Sequence, residues 1–507
     1  MNQILKQKLS ILLPVFIIFI SITGCNDIAN EEKEATIKDD VYKIYEEIKS
    51  DFSDAKSEKD LVVIIKKWAS KNKLSCTQLK SGNLLITTKK SVSGKKSSDT
   101  VLQCSLGGRY YKTQAEYAAI ALATLKNHDI SGKTDAIFTL ANPSAYYGTL
   151  QDKSFISKYK HIISLNYSKK TKLFNGSAQT ADYTMSLPLF YQKTVGTKAY
   201  KISISNINKN ASFDDNTTHS NPLNTLGSLM SKLKSNNIIY QICDFSGGSS
   251  AGTYAQNANI TVTVSSNYED RLLSVLESEQ EDFETENSDN ESDAKYEFVG
   301  VDVPKESYAQ YNLDSIISLF YTLDDGIYKE DTQTGDPKTI ANIGKISYIN
   351  GNLVWEIEVH SLDKDEMAEL EVDYKKTAAL CDFNFNITAK QHMWPTPKYE
   401  AELHQKSIAP KNKKSKRDKN KNKKDDKNNI SAVKSQSEKD LTLYLEAAKD
   451  SDLELEPQWS YTKTECALLY NPNINKGMIL IGANIQDGPA ISKSLIHYIT
   501  QLSKAEK

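Results

Sequence analysis

The stretch "TVLQCSLGGR" (residues 100–109), followed closely by "QAEYAAIALATLKNH" (114–128), decides how the rest of the chain is read. The first is an apolar run of β character that ends in Cys104-Ser105-Leu106-Gly107, where a buried strand should emerge at a sheet edge. The second is an alanine-rich helix suited to close packing on a sheet. "GNLLITT" (82–88) precedes them, and "DAIFTLA" (135–141) and "HIISLN" (161–166) follow as further strands. Strands that are apolar throughout, rather than alternating, are strands covered on both faces, so the pattern predicts a three-layer α/β domain. Strand ends in such domains often carry acids, bases or metal ligands. Here the tip offers a hydroxyl, a leucine and two glycines.

On the N-terminal side, helical spacing appears at Val41, Ile44, Tyr45 and Ile48, and again at Leu61, Ile64, Ile65 and Trp68. Ser57, three residues before Asp60, predicts an N-cap for the second of these helices. On the C-terminal side the pattern changes near residue 197. "KAYKISISNI" alternates like a half-exposed strand and leads to a helix over 221–234, strands at 238–245 and 258–266, and a helix over 268–283. A second unit of the same kind is expected from strand 296–303, helix 313–323, a hairpin turning at Asn350-Gly351, helix 364–380 and strand 384–391. The Asn-Gly pair favours the positive φ of a tight turn. Residues 197–393 thus read as two split-βαβ (ferredoxin-like) α+β units with helices on one face of an antiparallel sheet. Helix 437–451, strand 477–485 and helix 491–504 restore the α/β pattern, so the chain returns to complete its first domain. The expected organisation is 40–196 and 394–507 for the α/β domain and 197–393 for the inserted one.

The 507 residues suffice for two to four domains, and 25% charged with 39% hydrophobic residues is an ordinary composition. A net charge of −2 excludes the broadly basic surface that nucleic-acid binding needs. Two segments are biased: 277–293 is acidic, and "KNKKSKRDKNKNKKDDKNN" (411–429) is basic without one aliphatic or aromatic residue. The latter marks a disordered insertion, 405–436, whose sharper reading is contact with anionic headgroups or wall polymers.

The first 25 residues read as a secretory signal: Lys6 and Lys8, an apolar run from Ile11 to Ile20, then Ile22-Thr23-Gly24-Cys25. The run is short for a membrane span. A cysteine directly after Thr-Gly resembles the lipobox of bacterial lipoproteins, which implies cleavage before Cys25, diacylation (palmitate-type chains) of that residue, and a lipid-anchored protein on the extracytoplasmic face of a bacterial membrane. Residues 26–39 would be the tether. At about 0.8 kcal/mol per buried methylene, two or three chains hold firmly. The remaining Cys76, Cys104, Cys243, Cys381 and Cys466 are odd in number and lack Cys-x-x-Cys spacing, so they read as small buried hydrophobes rather than a disulfide or zinc framework.

The order of elements and several strings resemble metallopeptidases of the M20 type, and among them the cytosolic aminoacyl-histidine dipeptidases. "GNLLI" and "TVLQCSL" look like the first catalytic strands, "DFSGG" (244–248) and "NANITVTV" like the inner hairpin of the lid, and "MILIGANIQDGP" (478–489) like the last catalytic strand and its loop. The resemblance implies a zinc-peptidase-like three-layer α/β/α domain with an inserted lid through which members often dimerise. It also implies two zinc ions held by His and carboxylates, with a glutamate base that deprotonates a bound water. Position by position, the family's His-x-Asp falls on Ser105-Leu106-Gly107, its bridging aspartate near Thr113, and its paired glutamates on Asn142-Pro143. Its next aspartate falls on Asn166 and its C-terminal histidine on Ala490. The substrate-binding Arg-Asn of the lid falls near Ala251-Gly252, and its Gly-His-Ser near Asn210-Ala211-Ser212, with His219 a few residues on. Glu465 matches a family glutamate.

The zinc ligands are therefore absent, and no cofactor is expected. The expectation is a non-catalytic relative that keeps a vestigial cleft lined by Ser105, Asn142, Asn166 and Glu465, binding a peptide or an envelope partner. The competing expectation is a hydrolase working through a non-standard site, with Ser105 as nucleophile and His128 or His161 as base. A third is an adhesion lipoprotein acting through its charged segments.

Overall fold

The computed structural model describes residues 35–88, 98–107, 111–141, 147–209, 211–215, 219–289, 291–332, 335–396 and 435–505. Cys25, Asn142, Asn210 and the basic tract 411–429 lie outside them. The chain divides into two compact units. The first runs to Asn175 and resumes before Gln458 and after Asn471; the second starts at Gly176 and also takes in Trp459–Tyr470.

The first unit opens with helices over 35–54 and Glu58–Lys71. The predicted cap is present as a full capping box: Ser57 Oγ accepts from Asp60 N–H, and Asp60 Oδ2 accepts from Ser57 N–H at 2.9 Å. The sheet holds β1 (Ser75–Gln78), β2 (Leu84–Thr87), β3 (Thr100–Gly107), β4 (Thr134–Ala141), β5 (His161–Tyr167), β6 (Lys172–Ser177), β18 (Pro457–Ser460) and β19 (Gly477–Ala483), in the order β1-β2-β4-β3-β5-β19-β6-β18. Its centre, β4-β3-β5-β19, is parallel. Leu102, Cys104, Ala136, Phe138, Ile163 and Ile479 point into one core with helices Tyr111–Lys126, Gln436–Lys449 and Gly488–Ala505. Their neighbours Val101, Ile137, Ile162 and Leu480 point the other way and are buried as well. Burial of both faces is why these strands carry no polar alternation.

The second unit holds β7 (Gln179–Pro188), β8 (Tyr191–Lys193), β9 (Lys198–Ser205), β10 (Tyr240–Gly248), β11 (Ala258–Val264), β12 (Lys295–Val301), β13 (Glu306–Tyr308), β14 (Gly326–Glu330), β15 (Pro337–Ile349), β16 (Asn352–Ser361) and β17 (Asn384–Gln391). One large antiparallel sheet runs β12-β9-β11-β10-β15-β16-β7-β17, with β14 paired to β15. Each half has ferredoxin-like order: β12-β9-β11-β10, and β17-β7-β16-β15.

The second half therefore differs from the expectation. Its first strand is β7, which precedes the whole first half in sequence, and 295–301 closes the first half instead of opening the second. The unit accordingly begins at Gly176 rather than near 197. The two α+β units are nested rather than successive. At the β15–β16 turn, Asn350 and Gly351 adopt φ of 50° and 83°, as the Asn-Gly pair predicts. Helices Pro222–Ser235, Glu269–Asn287, Gln310–Thr322 and Lys364–Leu380 close one core over the sheet, around the wholly buried Trp355.

All five cysteines in the described residues are free, with Cys104, Cys381 and Cys466 buried and Cys76 and Cys243 half-buried. Among the described residues no helix is long and apolar enough to cross a membrane.

Candidate functional site

Parallel α/β sheets present their ligands at the carboxyl ends of the strands. In the first unit these are the ends of β3, β4, β5 and β19, and the side chains there bond to the protein itself.

Ser105 is buried within a neutral network across three strands. Gln103 Nε2 donates to Thr139 Oγ1 at 2.8 Å and to Ser105 Oγ at 3.3 Å, Ser164 Oγ donates to Gln103 Oε1 at 2.6 Å, and Ser105 and Thr139 hydroxyls lie 3.3 Å apart. Leu106 is wholly buried. Gly107 has a φ of 129°, and a methyl group there would fall 1.8 Å from Ala141 O, so β3 and β4 end in a contact that admits only glycine. Gln114 closes the strand end. Its amide accepts from Gly107 N–H at 2.9 Å and donates to Gly107 O at 2.5 Å, imitating a neighbouring strand. Gly107→Ala is expected to destabilise this unit by about 2 kcal/mol or more, read as a shifted denaturant midpoint, because both φ and the Ala141 contact oppose it.

Asn166 sits half-buried near the end of β5, in register with Gly482. Ala490 packs against the core from the first turn of helix Gly488–Ala505. Thr113 is half-buried on helix Tyr111–Lys126. Two of the carboxylates near this edge are engaged with the chain itself. Glu116 Oε2 accepts from Ile485 N–H at 2.9 Å, and burial raises its pKa against the opposing pull of that bond and Lys112. Asp487 Oδ2 accepts from Thr171 Oγ1 at 2.6 Å and Asn484 Nδ2 at 3.1 Å. Together they tie the loop after β19 to the helix and to the loop after β5.

A zinc pair does not fit these residues. Among the described residues no group of three or more His, Cys, Asp or Glu side chains converges to hold a metal ion. The sequence following β3 at 108–110 (Gly-Arg-Tyr) and following β4 at 142–146 (Asn-Pro-Ser-Ala-Tyr) contains none of those residue types. The Ser105 hydrolase reading also fails on geometry. His161 pairs in register with Thr100, five residues back along β3, or about 16 Å from Ser105 at strand rise. Its Nδ1 lies 2.6 Å from buried Asp440. His128 is exposed beside Asp129.

Glu465 is wholly buried at the start of helix Glu465–Leu469 and belongs to the second unit, whereas Ser105 and Asn166 belong to the first. His219 lies with its ring centroid 4.5 Å from that of Tyr254. Gly252 borders Glu358, whose Oε2 would lie 2.9 Å from a methyl group there.

The residues that sequence reasoning missed are in the second unit. Asp182 on β7 and Glu358 on β16 stand directly opposite each other. Lys463 Nζ lies between them, donating to Asp182 Oδ1 and Oδ2 at 2.7 and 2.8 Å and to Glu358 Oε2 at 2.6 Å. Burial and the adjacent Glu358 carboxylate push the Asp182 carboxyl up to about 7. For Glu358, burial is outweighed by His360 and Lys463, which hold it low, at about 2. The only local clue was a lysine in "SYTKTECALL" just before an apolar helix.

The architecture defined by these units is that of a peptidase-type α/β domain carrying an inserted α+β lid. No protein-family model matches the chain, and no curated protein matches it. Among solved structures, aminoacylhistidine dipeptidase from Vibrio alginolyticus is similar over 88% of this chain and 93% of its own, with 14% identity and a TM-score of 0.55. The dipeptidase Dug1p from Saccharomyces cerevisiae (10% identity, 94% and 99% coverage, TM-score 0.44) and a tripeptidase from Staphylococcus aureus (9%, 92% and 99%, 0.42) also align. The first of these carries the assignment: the chain has the fold of the M20-type peptidases.

Proposed function

We propose that this chain is a lipid-anchored, non-catalytic protein of M20 peptidase fold that binds a peptide or an envelope partner on the extracytoplasmic face of a bacterial membrane. One observation carries the reading: the strand ends that would have to grip zinc are closed by the Gln114–Gly107 amide pair and by carboxylates already bonded to backbone and hydroxyl groups. Without imidazole and free carboxylate donors there is no means of lowering the pKa of a bound water. The anchor rests on the lipobox-like Ile22-Thr23-Gly24-Cys25. Exposed Lys169 and Lys170, in the loop after β5, and exposed Lys112 favour a ligand with a carboxylate or other anionic group, such as a peptide C-terminus. The basic tract 411–429 adds anionic headgroups or wall polymers as a surface, and a homodimer through the second unit is a further expectation of the fold.

Two assays test this. Radiolabelled palmitate should enter the wild-type protein in bacteria and not Cys25→Ser. The soluble form, without residues 1–25, should show no dipeptide hydrolysis above buffer with or without added zinc, while a set of short peptides raises its melting temperature. Metal-dependent hydrolysis abolished by chelation would overturn the non-catalytic reading, and label in Cys25→Ser would overturn the anchor.

A further inference from the structure

The Lys463 cluster belongs to the second unit, not to the strand ends of the first, and has an unbalanced charge. It contains two carboxylates directly opposed on neighbouring strands, one ammonium and one imidazole. Like charges opposite each other weaken a sheet pair, and here they are also removed from water. Lys463 neutralises only one of them. Neutrality in this buried place requires one proton beyond those of Lys463.

Among the described residues the one other group that can carry that proton beside the two carboxylates is His360. His360, two residues after Glu358 on β16, is wholly buried with its ring 4.2 Å from Phe213, and neither ring nitrogen has a hydrogen-bond partner among the described residues. Its Nε2 is 3.2 Å from Glu358 Oε1 but off the line of a hydrogen bond. Thr180 Oγ1, on the residue opposite His360, is likewise buried and unpartnered among the described residues. From the element carrying Phe213, Asp214 is committed to Tyr461 N–H and Ser460 Oγ. On β15 the opposing residues are Asn342 and Ile340, neither titratable. On β17, Lys390 pairs with Glu371. His219 stacks on Tyr254, which in turn stacks on Phe213.

Lys463 is also the charged tie of an unusual piece of chain. Trp459–Tyr470 belongs to the second unit, although the residues before and after it belong to the first. We propose that Lys463, Asp182, Glu358 and His360 form a proton-operated latch: with its extra proton the cluster holds Trp459–Tyr470 in the second unit, and on losing that proton it releases the segment.

The direction follows from the geometry. A carboxyl that is easier to protonate when buried than in the unfolded chain stabilises the closed form at low pH and loses that contribution as pH rises through its folded value. For Asp182, with about 4 unfolded, the latch loosens between about pH 4 and about 7 and its contribution is gone above that. Glu358, shifted the opposite way, contributes from about pH 4 upward and loses its share only in strong acid.

The test is hydrogen exchange of the soluble chain, followed at peptides from Trp459–Tyr470 between pH 5.5 and 8.5 and corrected for intrinsic exchange. The open fraction should rise by up to about tenfold per pH unit from pH 5.5 to about 7, the slope of a one-proton linkage, and level off above that. Asp182→Asn removes the surplus charge while keeping an acceptor for Lys463, and should exchange slowly and without pH dependence. A second buried carboxylate in this unit, Asp325, accepts from Ile343 N–H, Asn221 and Asn224, so the readout must be local to the segment rather than a melting temperature. A flat profile in the wild-type chain overturns the latch, whatever the variant does. So does an Asp182→Asn profile that follows the wild type.

Discussion

Lys463→Met is expected to destabilise the second unit by about 3–5 kcal/mol, the usual loss when one partner of a buried ion pair is removed. The ammonium contacts three carboxylate oxygens from two strands and is 14% exposed, so water replaces little of what it supplies. Methionine fills nearly the same space, which isolates charge from packing. What remains is Asp182 opposite Glu358 with the ammonium gone and the buried His360 imidazole as the nearest cation-forming group, and the sheet must take up a proton or splay. The pair Asp182→Asn with Lys463→Met should be less destabilised than Lys463→Met alone, because only one buried charge is then unbalanced. Denaturant midpoints of the three proteins decide it. If Lys463→Met shifts the midpoint no more than a surface substitution does, the cluster is not the charged tie described here.

Asp440→Ala is expected to be comparably damaging, at about 3–5 kcal/mol, in the first unit. Asp440 lies on helix Gln436–Lys449, is 1% exposed, and faces the opposite edge of the sheet from the candidate site. Its Oδ2 meets His161 Nδ1 at 2.6 Å and its Oδ1 accepts from Gln436 Nε2 at 2.7 Å. The carboxylate fits against bare backbone: a methyl group at Gly477, the residue in register with His161, would lie 1.5 Å from Oδ2. Removing it takes the carboxylate partner from a buried imidazole and opens a void at the start of β5 and β19. Asp440→Asn keeps the shape and one acceptor and should lose only about 1–2 kcal/mol. Equal losses in the two variants would show that packing, not the His161 partnership, sets the stability there.

The central strands were legible because burial on both faces leaves a continuous apolar signature, as in Thr134–Ala141. The Ser57–Asp60 capping box and the Asn350-Gly351 turn were legible because their chemistry is local. Strand β7 was missed although Ala181, Tyr183, Met185 and Leu187 alternate and are buried. Its partners β16 and β17 lie far downstream, and the nesting of one α+β half within the other leaves no trace in adjacent segments. The same distance hid the Lys463 cluster, whose hydrogen bonds join residues 105 and 281 positions apart. What bonds these strand ends was equally hidden, because Gln114 and Glu116 read as ordinary helix residues until the strand end and the loop after β19 are placed against them.

The most direct measurement is the metal content of the purified soluble chain after equilibration with excess zinc and gel filtration, by elemental mass spectrometry. The closed strand ends predict well under one zinc per chain and no rise in melting temperature with added zinc. A pair of retained zinc ions per chain, with a chelator-sensitive melting temperature, would contradict the account.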